Sequence, residues 1–472
     1  MTTVEVPQQM AARTRWLALV VLVLAAFMTT LDDFIVFVAE PALQRELHMD
    51  AAGLQWVIAG YVLAYGVLVV TGGRLGDIYG RKRLFLYGVW GFTLTSFLCG
   101  IAPDTLVLII ARILEGITAA LMFPQVFSLL KVTFPEKEQG IALGIIGAVL
   151  GAAAIGGQLL GGLLLGANIG GLGWRPIFFV NVPVGLLAAL AAPFLLRESR
   201  STTATRVDGP GVLLATGTLF LLAFPLVEGR EMGWPWWTLL CLVACLPVGW
   251  LFLRYEQRRT RMLGSPLLDL SLFRNTVFTR SILILLLETA LGSAFFFILA
   301  LYLQSGHHFS PFEAGLAFTP MAIAYTVGSL ATSRLTPKLG TRILHLGILI
   351  AALGTVVTFV VVSMTTKPTL LTMLPLAILG FGNALVATPL PGFILTVAGD
   401  DAAGAASGSI STAQQVGPAL GIAVIGVIFF SLLGEQHYTT AFSITMLCYI
   451  LGICMLQMAL ALGLPRLLHE QA

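Results

Sequence analysis

Charge is scarce in this 472-residue chain: Asp, Glu, Lys and Arg make up 10% of it, against 57% hydrophobic residues, and the mean hydropathy is +0.93. Apolar runs recur along its whole length, which excludes an ordinary soluble domain with a charged surface and defines a polytopic membrane protein. Cysteine is scarce as well. Cys99, Cys241, Cys245, Cys448 and Cys454 are odd in number and lack ligand spacing, which argues against a disulfide framework or metal cluster and leaves packing as their role. No Gly-x-x-x-x-Gly-Lys-Ser/Thr loop is present, so ATP drive is not encoded here, and no His-Glu-x-x-His or paired-Cys motif marks a membrane enzyme.

A 30 Å hydrocarbon core needs about 20 helical residues, and helices satisfy their own backbone hydrogen bonds in lipid, so an all-α fold is expected. Fourteen apolar runs fit that length: 16–38, 54–74, 84–102, 105–130, 141–165, 176–196 and 210–228, then 235–253, 277–304, 312–333, 343–363, 369–393, 404–433 and 439–463. Residues 16–28 could pass for a signal-peptide core, but the run continues to Val38 without a convincing cleavage site, so it reads as a retained first helix. Short cytoplasmic loops retain Lys and Arg. With the N-terminus inside, only Arg45, Arg175, Arg230 and Lys367 fall on the far side and Arg112 lies within a helix. An even span count returns the C-terminus to the cytoplasm. The net charge of +3 therefore reports topology, and no nucleic-acid partner is read from it.

Against this background the acids Asp32, Asp33, Glu115 and Glu288 stand out, each inside an apolar run. A charge near the bilayer centre costs roughly 2.5–3.5 kcal/mol on insertion scales, so such residues face a protein-lined cavity and carry a proton or a cation. Glu40, Glu228 and Glu313 fall near the ends of runs and are expected to be solvated, as are the loop residues His307 and His308.

An internal repeat is visible. Arg74-Leu75-Gly76-Asp77-Ile78-Tyr79-Gly80-Arg81-Lys82 aligns with Arg334-Leu335-Thr336-Pro337-Lys338-Leu339-Gly340-Thr341-Arg342, and Ala152-Ala153-Ala154-Ile155-Gly156 with Gly417-Pro418-Ala419-Leu420-Gly421. Two halves of one design suit alternating access around a midplane site. The organisation expected is a six-helix bundle in 1–200, two additional helices and linkers in 201–262, and a second six-helix bundle in 263–472.

On these residues the chain resembles the major facilitator superfamily, specifically its fourteen-span drug:proton antiporter branch, the EmrB/QacA-like multidrug efflux family. Gly72-Gly73-Arg74-Leu75-Gly76-Asp77-Ile78-Tyr79-Gly80-Arg81-Lys82 is similar to the superfamily's loop after the second helix, and Trp174 to Gly185 to the fourteen-span signature entering helix six. Leu54-Gln55-Trp56-Val57 with Tyr61, and Pro266-Leu267-Leu268-Asp269-Leu270 with Phe273-Arg274-Asn275, support the same branch. The resemblance implies a major facilitator fold of two six-helix bundles plus two extra central helices, and a monomer in the cell membrane. It implies proton-coupled export of small lipophilic, often cationic drugs or antibiotics, with protons as the coupling ion and no cofactor, metal or enzymatic activity.

It also assigns roles. Leu31 to Leu43 resembles the first-helix motif, whose acid maps onto Asp32; Phe34 and Phe37 replace the family's polar residues and make this wall more aromatic. Neighbouring helix positions diverge by about 100°, so Asp33 is read as a helix-contact or rim residue. Arg112-Ile113-Leu114-Glu115-Gly116 matches the fourth-helix motif with Glu in place of Gln, and the i, i+3 pair shares a face. Gly73, Asp77, Gly80 and Arg81 form a candidate conformational latch, with Asp77 placed to pair with Arg81. Gly156 and Gly157 in the fifth helix, and Gly417 and Pro418 in its counterpart, are candidate hinge or helix-packing residues. Trp56, Tyr61, Tyr65, Met122, Phe123, Phe295, Phe296, Tyr325, Asn383 and Gln414 sit in helices that line the cavity in this superfamily. The alternatives are a narrow-specificity exporter of a secondary metabolite, even an anionic or zwitterionic one paired with Arg112, and a non-transporting sensor or scaffold.

Overall fold

The computed structural model describes residues 11–200, 208–263, 270–365, 369–399, 403–433 and 438–463. The first part comprises α1 (Ala12–Glu46), α2 (Ala51–Tyr79), α3 (Arg81–Gly100), α4 (Thr105–Thr133), α5 (Glu136–Ala167), α6 (Pro176–Phe179) and α7 (Asn181–Leu195). A hairpin of α8 (Gly209–Glu231) and α9 (Trp236–Leu263) follows. The last part comprises α10 (Thr276–Leu301), α11 (Pro311–Leu339), α12 (Arg342–Met364), α13 (Leu376–Ala387), α14 (Leu390–Ala398), α15 (Ala403–Leu433) and α16 (Tyr438–Gly463). Among the described residues there is no strand.

Short polar residues start the helices by accepting hydrogen bonds from otherwise unpaired first-turn amides. Asp50 caps α2, Asp104 caps α4 and Asn275 caps α10, while Ser310 and Glu313 form a capping box at α11 with Pro311 in its first turn. Among the described residues twelve helices are long and apolar enough to cross a membrane, against the fourteen expected. The two outside that number are α3, whose first turn is Arg81-Lys82-Arg83 and whose body carries Thr93, Thr95 and Ser96, and α16, whose apolar described stretch is Thr440–Leu456. Residues 266–269 of the Pro266 motif and the linker 201–207 lie outside the described residues.

The repeat seen in the sequence is built into the packing. In the first part α1 packs on α5 and α7, α2 and α3 both pack on α4, and α3 packs on α7; in the last part α10 packs on α15 and α16, α11 and α12 both pack on α13, and α12 packs on α16. The correspondence is close at the aligned motif: α2 ends at Gly80 with φ +115° and α11 at Gly340 with φ +54°, backbone that a side chain would strain.

The halves meet through α2 against α15 and α5 against α11. Gln304, in a π-helical turn that prolongs α10, donates its amide to Val38 O at 2.9 Å, and Phe296 of α10 packs against Phe34 and Phe37 of α1. α5 approaches α11 tightly at Gly162, but at Gly151 the nearest atom is 4.0 Å from an added Cβ, and at Gly147 and Gly144 nothing lies within 4 Å. On this arm the contact is close at the Gln304 end and loosens along α5 toward Gly144, while on the other arm Gly408 of α15 stays against Val70 of α2.

The α8–α9 hairpin contacts both α2 and α15 through α8, so it braces the seam. Asp208, at its start, accepts hydrogen bonds from Gly211 N and the Tyr255 hydroxyl and pairs with Arg259 at 3.2 Å. Arg74 of α2 lies within electrostatic reach of Asp208 and Glu256.

Candidate functional site

The fourth helix supplies the hub of the site. Arg112 is fully buried, and its Nη1 donates both to Asp32 Oδ2 at 2.5 Å and to Glu115 Oε2 at 2.7 Å. Its Nε donates to Val57 O at 3.1 Å, and its guanidinium lies 4.2 Å above the Tyr61 ring, a cation–π contact strengthened by exclusion of water. Asp32 and Glu115 are 0% exposed. Helical spacing explains the Arg112–Glu115 pair. The Asp32–Arg112 pair joins α1 to α4 across 80 residues and needs the fold.

Asn181, at the break between α6 and α7, donates to Asp32 Oδ1 and to Ser96 Oγ at 3.0 and 3.1 Å, and Ser96 in turn donates to Phe178 O. The Cys99 thiol donates to Glu115 Oε2 at 3.4 Å, so this cysteine belongs to the polar cluster rather than to packing alone. Sequence reasoning missed Asn181 and Ser96 as site residues; an amide isolated among Phe178, Phe179, Val180 and Val182 was the available signal. Asp33 is half-buried beside the Tyr61 hydroxyl and Tyr65, off the Arg112 axis as helical geometry requires.

One guanidinium therefore serves two carboxylates, with Asp33 adjacent, and Oε1 of Glu115 has no hydrogen-bond partner among the described residues. A buried cluster with more acids than cations holds its surplus charge only at high cost. Binding of a proton relieves it, and that is the chemistry this arrangement can perform.

Glu288 is elsewhere. It lies on α10 beside a small, partly open, water-sized space that it lines with Leu291, Ile348, Ala351, Asn383, Val386, Tyr449, Ile453 and Leu456. Tyr449 pairs with Asn383 there, and Tyr325 pairs with Thr388 within electrostatic reach of Glu288. Of the remaining aromatics, Tyr61, Tyr65, Phe123 and Phe127 form a chain of edge contacts beside the Arg112 cluster, and Phe34, Phe37, Phe296 and Phe318 form a second group between the halves. Phe295 packs on Tyr449, and Gln414 is exposed.

Two expected cavity residues are placed otherwise. Trp56 packs against Phe220 and Phe224 of α8 and donates Nε1 to Glu228 Oε1 at 2.8 Å, which also makes Glu228 a partner rather than a solvated acid. Met122 fills the α3–α4 contact against Gly88. Glu40 is likewise not solvated: it is 0% exposed, and neither carboxylate oxygen has a partner among the described residues. His307 packs its ring 4.6 Å from that of Tyr302.

In the motif loop, Arg81 donates Nε and Nη2 to Asp77 Oδ1 at 2.9 and 2.8 Å, and Glu198 accepts from the backbone of Lys82 and Arg83. Gly73 lies against Pro124 of α4. Gly157 abuts Leu31 and Phe34 of α1, Gly156 lies in looser contact with Leu31, Gly417 abuts Leu286 and Thr289 of α10, and Pro418 lies inside the continuous α15. Close helix contact is what these glycines provide. Among the described residues no group of three or more His, Cys, Asp or Glu side chains is placed to hold a metal ion.

A two-fold repeated, all-helical membrane fold with buried acids at its centre defines a transporter scaffold. The family model for the Major Facilitator Superfamily matches residues 22–422, and the chain belongs to that superfamily. It is 38% identical over 425 residues to the "Probable actinorhodin transporter" of Streptomyces coelicolor, covering 89% of this chain and 74% of the relative. It is 37% identical over 420 residues to "Puromycin resistance protein pur8" of Streptomyces alboniger, covering 88% and 82%. Among solved structures, a bacterial homologue of the human lysosomal transporter Spinster, in an inward-facing and occupied conformation, shares the fold with a TM-score of 0.69 at 15% identity over 96% of this chain and 97% of that one. These two relatives are named, respectively, for the probable transport of one compound and for resistance to another.

Proposed function

We propose that the chain is a proton-coupled antiporter of the fourteen-span drug:proton branch, exporting small lipophilic, often cationic drugs or antibiotics across the cytoplasmic membrane by alternating access. The observation that carries this reading is the Arg112 guanidinium shared at 2.5 and 2.7 Å between Asp32 and Glu115. Arg112 holds one carboxylate as its counterion while the other takes up or releases a proton. Substrate release and proton uptake alternate as the seam between the halves opens at one end and then the other. Adding α3 and α16 to the twelve apolar helices gives the fourteen spans, with both termini cytoplasmic by the distribution of Lys and Arg. In that orientation the splay of α5 from α11 is an inward-facing state, the Asp77–Arg81 pair acts as a latch on it, and the α8–α9 hairpin steadies the α2–α15 seam. The protein works as a monomer, with protons as the coupling ion and no cofactor.

A second reading, a dedicated exporter of one antibiotic, is favoured by relatives each named for a single compound. Proteoliposomes with an acidic lumen test the coupling. Ethidium or puromycin is expected to accumulate against its gradient, stop when nigericin collapses the pH difference, and fail to accumulate in Asp32→Asn. Accumulation that ignores the gradient would refute antiport.

A further inference from the structure

Asp32 and Glu115 share one guanidinium, but the donors around them are unequal. Each Asp32 oxygen has a donor of its own: Arg112 Nη1 reaches Oδ2 at 2.5 Å and Asn181 Nδ2 reaches Oδ1 at 3.0 Å. Both donors of Glu115, Arg112 Nη1 at 2.7 Å and the weaker Cys99 thiol at 3.4 Å, converge on Oε2, and Oε1 has no hydrogen-bond partner among the described residues. A hydrogen bond to a carboxylate favours its ionised form, whereas a buried oxygen left without one favours the protonated form.

Asn181 sets this asymmetry. It is the first residue of α7, just past the break after Phe179, where Pro183 has no N–H to continue the helical ladder. α7 packs on α1 and α3, the helices that carry Asp32 and Ser96, and the two amide hydrogens of Asn181 go one to each. The opposite amide orientation would set a carbonyl oxygen against the Asp32 carboxylate, so charge fixes which way the amide points. Ser96 commits its own hydrogen to Phe178 O. It therefore has none to give Glu115, beside which it also stands, and it keeps an oxygen lone pair that can accept one. α6 and α7 carry no titratable side chain; the other titratable groups within electrostatic reach of the cluster are Asp33 on α1, Tyr61 on α2 and Cys99 on α3.

We propose that Asn181 is a positioning residue for proton exchange: by holding Asp32 ionised against Arg112, it directs the exchanged proton to Glu115. This rests on the antiport reading above and names the acid within it. Glu115 takes a proton from water on one side of the membrane and returns it on the other, while Asp32 and Arg112 stay charged and paired throughout. The cluster then alternates between one net negative charge and none. Protonated Glu115 has the Ser96 oxygen to donate to.

Infrared difference spectra of the purified full-length protein in detergent, taken between pH 8 and pH 6, test this. Exposed Asp and Glu stay ionised over that range, and a protonated carboxyl has its own C=O band. The protein is made by cell-free synthesis with either glutamate or aspartate isotope-labelled at the side-chain carboxyl carbon, which shifts the band of that residue type alone. It carries Asp33→Asn, so that Asp32 is the cluster's one aspartate. A glutamate band that is missing in Glu115→Gln is expected, with no aspartate band. In Asn181→Leu, or Asn181→Val where leucine does not fold, an aspartate band is expected to appear and to vanish when Asp32→Asn is added. An aspartate band present while Asn181 is intact and lost in Asp32→Asn overturns the proposal, as does a spectrum unchanged by Glu115→Gln, or a band that stays wholly glutamate without Asn181. Antiport is read separately by adding ethidium. A Glu115 band that ethidium leaves unchanged keeps the positioning role and removes the coupling, whereas an ethidium-sensitive Asp32 band keeps the coupling and removes the positioning role.

Discussion

Replacing Arg112 by Met tests whether the buried cluster is held by charge. The methionine roughly matches the stem in volume but removes two ion pairs, at 2.5 and 2.7 Å, and the hydrogen bond to Val57 O. Asp32 and Glu115, both 0% exposed, are then left facing each other with no cation, and breaking a buried pair by removing one partner costs about 3–5 kcal/mol. The variants Asp32→Asn and Glu115→Gln remove one carboxylate while Arg112 keeps the other, and each is expected to lie within about 1.5–3 kcal/mol of wild type, the scale of a lost hydrogen bond to a charged group. The triple variant Arg112→Met, Asp32→Asn, Glu115→Gln is expected to recover most of the loss, since a buried ion network replaced wholesale by uncharged groups is often neutral or better. Thermal unfolding of the detergent-purified proteins at pH 8 reads the order of midpoints. The Arg112→Met deficit is expected to shrink as pH falls, because the stranded carboxylates then take up protons. An Arg112→Met protein that melts with wild type at pH 8, or a triple variant no more stable than the single one, would refute this reasoning.

Three further outcomes are expected. Glu40→Leu removes a fully buried acid with no partner among the described residues and should raise thermal stability by about 1–3 kcal/mol; a lower midpoint would show that Glu40 has a partner in the folded protein. Trp56→Phe keeps the ring against Phe220 and Phe224 but loses the 2.8 Å hydrogen bond to Glu228, and should cost about 1.5–3 kcal/mol, with accelerated proteolysis at the α8–α9 linkers as the readout of a loosened hairpin. Burial and the neighbouring His308 hold the His307 imidazole below its usual range, so the neutral ring is the one the fold favours. Its contribution is present above pH 6.5 and is lost as pH falls through the lowered value, and His307→Gln should melt with a shallower decline than wild type between pH 7 and pH 5.

Much of this protein was legible because lipid imposes few solutions. Apolar runs of about 20 residues must become helices, so their positions follow closely, and the repeat around Gly80 and Gly340 reappears as matched helix ends. The run at 84–102 reads as a span and is helical as α3, but polar residues dilute the apolar character of that helix: it opens on three cations and carries two threonines and a serine within its body. The i, i+3 pair Arg112 and Glu115 was readable from spacing alone. The partner that makes it a site, Asp32, was readable as an intramembrane acid, but its bond to Arg112 depends on how α1 lies against α4. Facing was the main loss. Trp56 and Met122 look identical to cavity-lining residues in sequence, yet one clasps α8 and the other fills the α3–α4 contact, because hydrophobic periodicity cannot separate a helix's cavity face from its helix-contact face when both are apolar. Glu40 illustrates the converse: an acid seven residues beyond Asp33 looked like the end of a span, and the bundle encloses it.

The most direct measurement is substrate-driven proton release from the purified protein in weakly buffered detergent near neutral pH. Wild type, Asp32→Asn, Glu115→Gln and Glu288→Gln are compared, with ethidium and puromycin added at concentrations that saturate each variant. The account predicts release on binding in wild type, loss of that release in Asp32→Asn or Glu115→Gln, and release preserved in Glu288→Gln, whose carboxyl lies outside the Arg112 cluster. Full release from both Asp32→Asn and Glu115→Gln would contradict it, because the exchanged proton would then reside outside the Arg112 cluster.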